Sequence, residues 1–157
     1  MRKGDVFKAV LAALREELER KQRAGEAAYE GATDEEARSE SKYDTRGLES
    51  SYLAAGMAQQ LEDLAEDVHV LGGYSLPRYE SGDAIGLGAL VEVGLGGEPT
   101  LFFLLPCGGG VEVEVAGRAV TVVTTSSPIG GQLMGRKAGE RFAVREGAAE
   151  SEIIGVS

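Results

Sequence analysis

The fold is decided by residues 53–71, which read Leu-Ala-Ala-Gly-Met-Ala-Gln-Gln-Leu-Glu-Asp-Leu-Ala-Glu-Asp-Val-His-Val-Leu. The apolar side chains in this stretch recur at steps of three and four residues, which predicts an α-helix with one narrow apolar stripe. The stripe consists of Leu53, Met57, Leu61, Leu64, Val68 and Leu71. A stripe this narrow is a seam for one partner helix, because a helix buried all round would be apolar on every side.

The partner helix is predicted upstream, in residues 6–30. Asp5 is placed to cap its start, and its apolar face consists of Phe7, Val10, Leu11, Leu14 and Leu18. Residues 6–30 and 48–71 would each form a rod of about 35–38 Å, so the two arms predict an antiparallel coiled-coil hairpin. The first helix is expected to weaken at Gly31. Three tyrosines are expected to pack near the far end of the hairpin: Tyr29, Tyr43 and Tyr52.

The second half of the chain is rich in glycine and valine, since 16 of the 23 glycines fall in residues 82–157. Turn signals at 72–77 separate the two halves and predict domains at 1–75 and 76–157. This half predicts short strands at 89–95, 100–105, 111–115, 119–124, 141–145 and 152–156, and the clean alternation of valine and glutamate at 111–115 is typical of a half-solvated antiparallel strand. Ser127 as N-cap, Pro128 at the first helical position and Gly135 past the end predict one short helix. The fold class is therefore α+β.

The hairpin tip, about 31–46, is crowded with acids: Asp34, Glu35, Glu36, Glu40 and Asp44. One interpretation is a solvated turn with capping carboxylates, in which Thr33 and Glu36 form a capping box. The other is that the carboxylates hold a hard cation such as Mg²⁺, which accepts one or two protein carboxylates and fills its remaining positions with water and phosphate oxygens. Such a tip would be inert alone and active inside a partner.

Composition excludes several other classes. With 16 basic and 26 acidic residues the chain has a formal charge of −10, which argues against direct binding of nucleic acid. The apolar runs are too short to span a membrane and no signal peptide is recognised, so we expect a soluble, cytoplasmic protein. Cys107 and His69, the single cysteine and histidine, exclude an intramolecular disulfide and a multi-histidine metal site. The glycines at 108–110 lack the residues of a phosphate-binding loop.

Residues 127–140 read Ser-Pro-Ile-Gly-Gly-Gln-Leu-Met-Gly-Arg-Lys-Ala-Gly-Glu. This run resembles the hallmark segment of the Gre factors (GreA/GreB), which are bacterial transcript-cleavage and elongation factors. Residues 42–46, Lys-Tyr-Asp-Thr-Arg, are similar to a divergent branch of that family. The resemblance covers nearly the whole chain, is specific in the second half and is weaker at the tip, where residues 33–43 depart from the usual Gre pattern.

The resemblance implies an antiparallel coiled-coil hairpin followed by a domain similar to FKBP-type prolyl isomerases. It implies binding to RNA polymerase through the second domain, here by Ser127, Pro128, Ile129, Gly130 and Leu133. It also implies insertion of the tip into the secondary channel, where acids help hold the second Mg²⁺ so that the polymerase cleaves backtracked RNA. The candidates for this role are Asp34, Glu36, Glu40 and Asp44.

The protein would then be no enzyme itself, since it would stimulate the nuclease activity of the polymerase. It would bind no cofactor alone, touch nucleic acid only through the elongation complex, and act as a monomer. Three alternatives stay open: a channel-binding inhibitor or anti-Gre regulator, a free-standing prolyl isomerase, and a coiled-coil scaffold. A prolyl isomerase would need aromatic residues around its site, and the second half offers only Tyr79, Phe102, Phe103 and Phe142.

Overall fold

The computed structural model describes residues 1–38, 46–94 and 96–157. These residues form three helices and six strands, and the predicted α+β class is confirmed. In chain order the elements are α1 (Lys3–Arg38), α2 (Arg46–Gly72), β1 (Ala89–Gly94), β2 (Thr100–Leu104), β3 (Glu112–Val115), β4 (Arg118–Val123), α3 (Pro128–Leu133), β5 (Arg141–Phe142) and β6 (Ser151–Val156). No helix in the described ranges is long and apolar enough to cross a membrane.

The chain divides into two compact units. The first, here called the sheet unit, contains Met1–Ala13 and Val70–Ser157, and the second, the arm unit, contains Leu14–His69. These limits differ from the predicted ranges of 1–75 and 76–157, which followed the change in composition. The start of α1 belongs to the sheet unit because its apolar side chains are buried there, as described below.

The first helix is longer than predicted. It does not weaken at Gly31 but continues to Arg38, and α2 begins at Arg46. Alanine and glutamate are abundant in residues 24–38 and are strong helix formers, so together they outweigh the cost of about 1 kcal/mol for the glycine at position 31. The predicted tip at 31–46 is therefore helical over its first half, and the connection between the helices is confined to residues 39–45, outside the described ranges.

In the arm unit the two helices lie side by side. Lys21 Nζ donates to Gln60 Oε1 at 3.3 Å, and a Cβ atom at Gly25 would stand 3.2 Å from Leu61 Cδ1. Near the start of α1, in the sheet unit, the ring of Phe7 lies 6.3 Å from that of Tyr74, just beyond the end of α2. Phe7 thus meets a residue at position 74 and Lys21 one at position 60, so partner numbers fall between these two points of α1, which is the antiparallel arrangement that the sequence predicts.

The apolar stripes are largely confirmed, with two exceptions near the arm's far end. Leu14 is buried, and Leu18, Leu61 and Leu64 are half-buried, as expected where only two helices share a seam. Leu53 and Tyr52 were expected to pack inside the hairpin, but they are 64% and 71% exposed. After Leu18 the first helix offers mainly alanine and glycine on its apolar side, so long side chains have little to pack against there.

The sheet is mixed, whereas an all-antiparallel sheet was predicted. Its strand order is β3-β4-β2-β1-β6-β5, and β2 pairs with β4 in parallel. The other pairings among the described residues are antiparallel. The chain leaves β2, forms β3 at the outer edge and turns at Ala116–Gly117, so β4 returns between them and runs with β2. Alternation of residue types reports a strand's two faces and not its direction, and therefore did not reveal this crossing.

Both faces of the sheet are buried. One face forms a cluster around Val91, Leu104, Ile153 and Leu133 of α3. The opposite face carries Phe103, which is fully buried and meets Phe7 of α1 edge to face at 6.2 Å between ring centroids. Val6, Val10 and Leu71 are also fully buried in this unit. The first helical turns therefore complete the second core of the sheet unit.

Candidate functional site

The predicted acids lie at or beside the end of α1. Asp34 and Glu36 belong to the last residues of this helix, while Glu40 and Asp44 lie outside the described residues. Positions two apart in an α-helix do not face each other, so the backbone does not bring positions 34 and 36 to one face.

Carboxylates are the donor type that Mg²⁺ prefers, and one or two of them suffice when phosphates and water complete the shell. The predicted acids therefore fit a shared Mg²⁺ by donor chemistry. Among the residues that the structure describes, no group of three or more His, Cys, Asp or Glu side chains is arranged to hold a metal ion. The assignment of the four acids to metal binding stays a prediction.

The second predicted site, residues 127–133, is a capped helix. Ser127 has extended backbone angles of −76° and 149°, and its Oγ accepts a hydrogen bond from the Gly130 N–H at 3.1 Å. The same hydroxyl donates to the Thr124 carbonyl oxygen at 2.7 Å. Pro128 occupies the first helical position, where its fixed φ is favourable and its missing N–H costs nothing. The predicted N-cap and proline are confirmed.

Gly130 is required by a close approach of two backbone segments. A Cβ atom at this position would lie 1.9 Å from the Thr124 carbonyl oxygen and 2.8 Å from Ser127 Oγ. A contact of that length is impossible, so any larger residue would push α3 away from the end of β4. The absence of a side chain at Gly130 therefore allows α3 to begin close to the end of β4.

The five residues predicted to bind polymerase differ in exposure. Leu133 and Gly130 are buried, Ile129 is half-buried against the core cluster, and Pro128 is exposed. Met134, directly after the helix, is 46% exposed and was not predicted, because nothing in the sequence distinguishes it from its buried neighbour Leu133. The predicted contact role stays a prediction, and Pro128 alone among the five is exposed.

The residues after α3 fix the motif to the rest of the sheet unit. Ile85 and Gly135 are linked by a 2.8 Å bond from the Gly135 N–H to the Ile85 carbonyl oxygen. Arg136 Nε donates to the Gln132 carbonyl oxygen at 2.6 Å, and its guanidinium lies 5.7 Å from the Phe142 ring centroid. Glu140 accepts a bond from the Lys137 N–H at 2.7 Å through its carboxylate. Residues 127–140 thus form one connected structural segment.

Two polar side chains are partly buried where α1 meets the chain after α2. Lys3 Nζ donates to the Pro77 carbonyl oxygen at 2.7 Å and lies 4.9 Å from the Tyr79 ring centroid. Burial lowers the pKa of Lys3. The Tyr79 hydroxyl donates to the Leu87 carbonyl oxygen at 2.9 Å, and burial, with a smaller effect of Tyr74, raises the pKa of Tyr79.

The aromatic residues that a prolyl isomerase site would need lie mainly in the core. Phe103, Phe142 and Phe102 are 0%, 3% and 8% exposed. Two surface cavities of about 380 and 230 Å³ lie in the sheet unit, and their linings among the described residues contain no aromatic side chain. The Tyr79 hydroxyl is engaged with Leu87. The observed packing therefore does not favour the isomerase alternative.

Comparison with solved structures finds proteins to which this chain is similar. The chain is similar to Gfh1. One such structure, described as that of the transcription factor Gfh1, is 22% identical, with 95% of this chain and 94% of that chain covered and a TM-score of 0.39. GreA factor homolog 1 (Gfh1) of Thermus thermophilus is 26% identical over 96% of each chain, with a TM-score of 0.38.

Gfh1 of Thermus aquaticus is 23% identical, with 95% of this chain and 94% of that chain covered and a TM-score of 0.38. No protein-family model matches the chain, and no curated protein matches it. At these TM-scores the likeness to Gfh1 transfers neither a function nor a residue role.

Proposed function

We propose that this protein is a Gre-type accessory factor of RNA polymerase. The carrying observation is the position of the acids in the chain: Asp34 and Glu36 belong to the last residues of α1, α2 begins at Arg46, and Glu40 and Asp44 fall between the two helices in the sequence. The hallmark run, folded as one segment around α3, supports the same assignment.

In this proposal the chain delivers ligands and the polymerase performs the chemistry. A Mg²⁺ ion shared with the polymerase would supply a bound water of lowered pKa as the nucleophile. One or two acids among Asp34, Glu36, Glu40 and Asp44 would complete the shell of that ion. The chain alone would hydrolyse nothing and would bind no cofactor.

The sheet unit would provide the attachment to polymerase. Pro128 is the exposed member of the predicted contact set, whereas Gly130 and Leu133 are buried and would act by shaping α3. We expect the contact to be short and partly apolar, since Met134 is exposed at the other end of the helix. The partner would be RNA polymerase, and nucleic acid would be reached only through it.

The test is cleavage of RNA in stalled, backtracked elongation complexes. The wild-type protein is expected to shorten the RNA from its 3′ end, and alanine variants of the acids that hold the metal are expected to lose this effect while still binding polymerase. Glu62→Ala, which changes an exposed acid in the described part of α2, is the matched control and is expected to retain it.

Three results separate the proposal from its alternatives. Binding without cleavage, with slowed RNA synthesis, would indicate the channel-blocking inhibitor and not the stimulator. Failure to bind polymerase would overturn the proposal and favour the scaffold. Isomerisation of a proline peptide by the isolated protein would revive the isomerase alternative.

A further inference from the structure

The outer strand of the sheet, β3, has one free edge. It pairs with β4 alone within the described sheet. The turn between these strands, Ala116–Gly117, has φ values of 52° and 73°, as in the two-residue hairpins in which both central residues have positive φ. Such a turn is closed by a hydrogen-bonded pair, here Val115 and Arg118.

The backbone groups at this edge follow from the register. In an antiparallel pair, hydrogen-bonded and non-hydrogen-bonded residue pairs alternate. Val115 and Val113 therefore direct their backbone N–H and C=O groups toward β4. Val111 directs only its carbonyl oxygen there, which accepts a 2.8 Å bond from the Val122 N–H, while its own N–H donates to the Gly108 carbonyl oxygen at 3.3 Å. The N–H and C=O groups of Glu112 and Glu114 consequently point outward, where they can pair with another strand.

The side chains along the edge define what such a strand would carry. Glu112 and Glu114 are exposed, while Val111, Val113 and Val115 are half-buried on the other face. The edge thus offers a row of carboxylates on one face and a row of apolar groups on the other. Residues directly opposite in adjacent strands interact, and opposite charges stabilise the pair while like charges destabilise it.

We propose that the outer edge of β3 binds an extended basic and apolar segment of another protein by strand addition. The segment pairs with the backbone of Glu112 and Glu114 and alternates Lys or Arg with aliphatic residues. Its cations lie opposite the two carboxylates, and its aliphatic residues lie beside Val113. Main-chain hydrogen bonds supply affinity in this mode, and the alternate side chains supply specificity.

A second copy of this chain is a poor occupant of the edge. Pairing β3 with itself would set the carboxylates of Glu112 and Glu114 against those of the other copy, which is destabilising. Each chain also carries a formal charge of −10, so approach of two copies is opposed over longer distances. The proposal goes beyond the polymerase proposal and does not depend on it.

The test uses the full chain and a synthetic peptide of alternating lysine and valine. Hydrogen exchange measured by NMR should show slower exchange at the amides of Glu112 and Glu114 when the peptide binds, on the order of tenfold at saturation. The amide of Val113, which faces β4, should change little. A peptide of the same composition with its lysines grouped at one end, and an alternating peptide N-methylated at the residues that pair with β3, should bind at least several-fold more weakly.

Charge-reversal variants complete the design. Glu114→Lys should weaken binding of the alternating peptide by roughly tenfold, since it replaces an attraction with a repulsion. Glu146→Lys changes the net charge equally at another exposed site and should retain most of the binding. Equal binding of the grouped peptide, slowed exchange at other amides only, or equal losses in both variants would overturn the proposal.

Discussion

Gly130 lies so close to Thr124 that a Cβ atom on the glycine would stand 1.9 Å from the threonine carbonyl oxygen. Gly130→Ala is therefore expected to lower the free energy of unfolding by about 1–3 kcal/mol, the usual cost of forcing extra atoms into a packed site. Denaturant unfolding checks the change. Gly131→Ala is the matched control, since a Cβ there would lie 3.3 Å from the Thr125 carbonyl oxygen, and it should cost clearly less.

Substitutions at Leu133 and Pro128 should distinguish the effect of core packing from the effect of partner contact within α3. Leu133→Ala should lower stability by about 2–5 kcal/mol, because it opens a cavity in a fully buried position. Pro128→Ala should change stability by less than about 0.5 kcal/mol but weaken polymerase binding by about 1 kcal/mol or more. Pro106→Ala, at another exposed proline, is the binding control. A Pro128→Ala protein that binds polymerase normally would remove this residue from the contact.

Tyr79 makes stability depend on alkaline pH. Its pKa is raised above the ordinary value of 10.0, mainly by burial, so the folded state holds the phenolic proton more tightly than the unfolded state. The stabilisation is present below that ordinary value and is lost as the pH rises through the folded-state pKa. The stability difference between the wild type and Tyr79→Phe should therefore stay constant below about pH 9 and shrink as the pH rises above the ordinary pKa of 10.0.

Two measurements check this pH dependence: unfolding of both proteins at each pH, and the difference between their phenolate absorbance curves. The second isolates Tyr79, because the other four tyrosines are present in both samples. A difference curve with its midpoint below the ordinary value would contradict the prediction. Lys3, which lies over the Tyr79 ring, is retained in both proteins, so its own titration does not distinguish them.

Asp34 and Glu36 should not contribute equally to the proposed polymerase activity. Because positions two apart in an α-helix do not face each other, we expect one ion to be reached from only one of these positions while the helix persists. One of Asp34→Ala and Glu36→Ala should lower RNA cleavage by roughly 10–100-fold, a typical loss when the support of a metal site is removed. The other should have little effect. Equal large losses in the transcript-cleavage assay would show that the helix does not hold in the complex.

The periodic parts of the fold could be predicted from the sequence. Six strands and three helices follow from residue patterns and caps, because the Val-Glu alternation at 111–115 and the Ser127 cap are local signals. The parallel pairing of β2 with β4 could not be predicted, since it depends on which strand β4 meets after the Ala116–Gly117 turn. The length of α1 was underestimated because one glycine, Gly31, was given more weight than the helix formers around it.

The candidate site was predictable only as a set of residue types. Ser127, Pro128 and Gly130 carry signals for a cap, a helix start and a turn, but their exposure depends on how α3 meets the sheet. The close approach of Gly130 to the end of β4 is a contact between two backbone segments. The pattern of side chains in the sequence does not predict such a contact. The free backbone groups of Glu112 and Glu114 likewise depend on the register of β3 and β4.

The arm unit is an insertion within the sheet unit, because the chain leaves the latter after Ala13 and re-enters it at Val70. Adding or removing whole turns in both helices, within the arm unit, would change neither the ring contact between Phe7 and Phe103 nor the core cluster around Leu133. The length of the arm unit and the stability of the sheet unit are therefore separate properties. Natural selection or a protein engineer can change one without the other. The length of the arm unit can therefore change in steps of one helical turn.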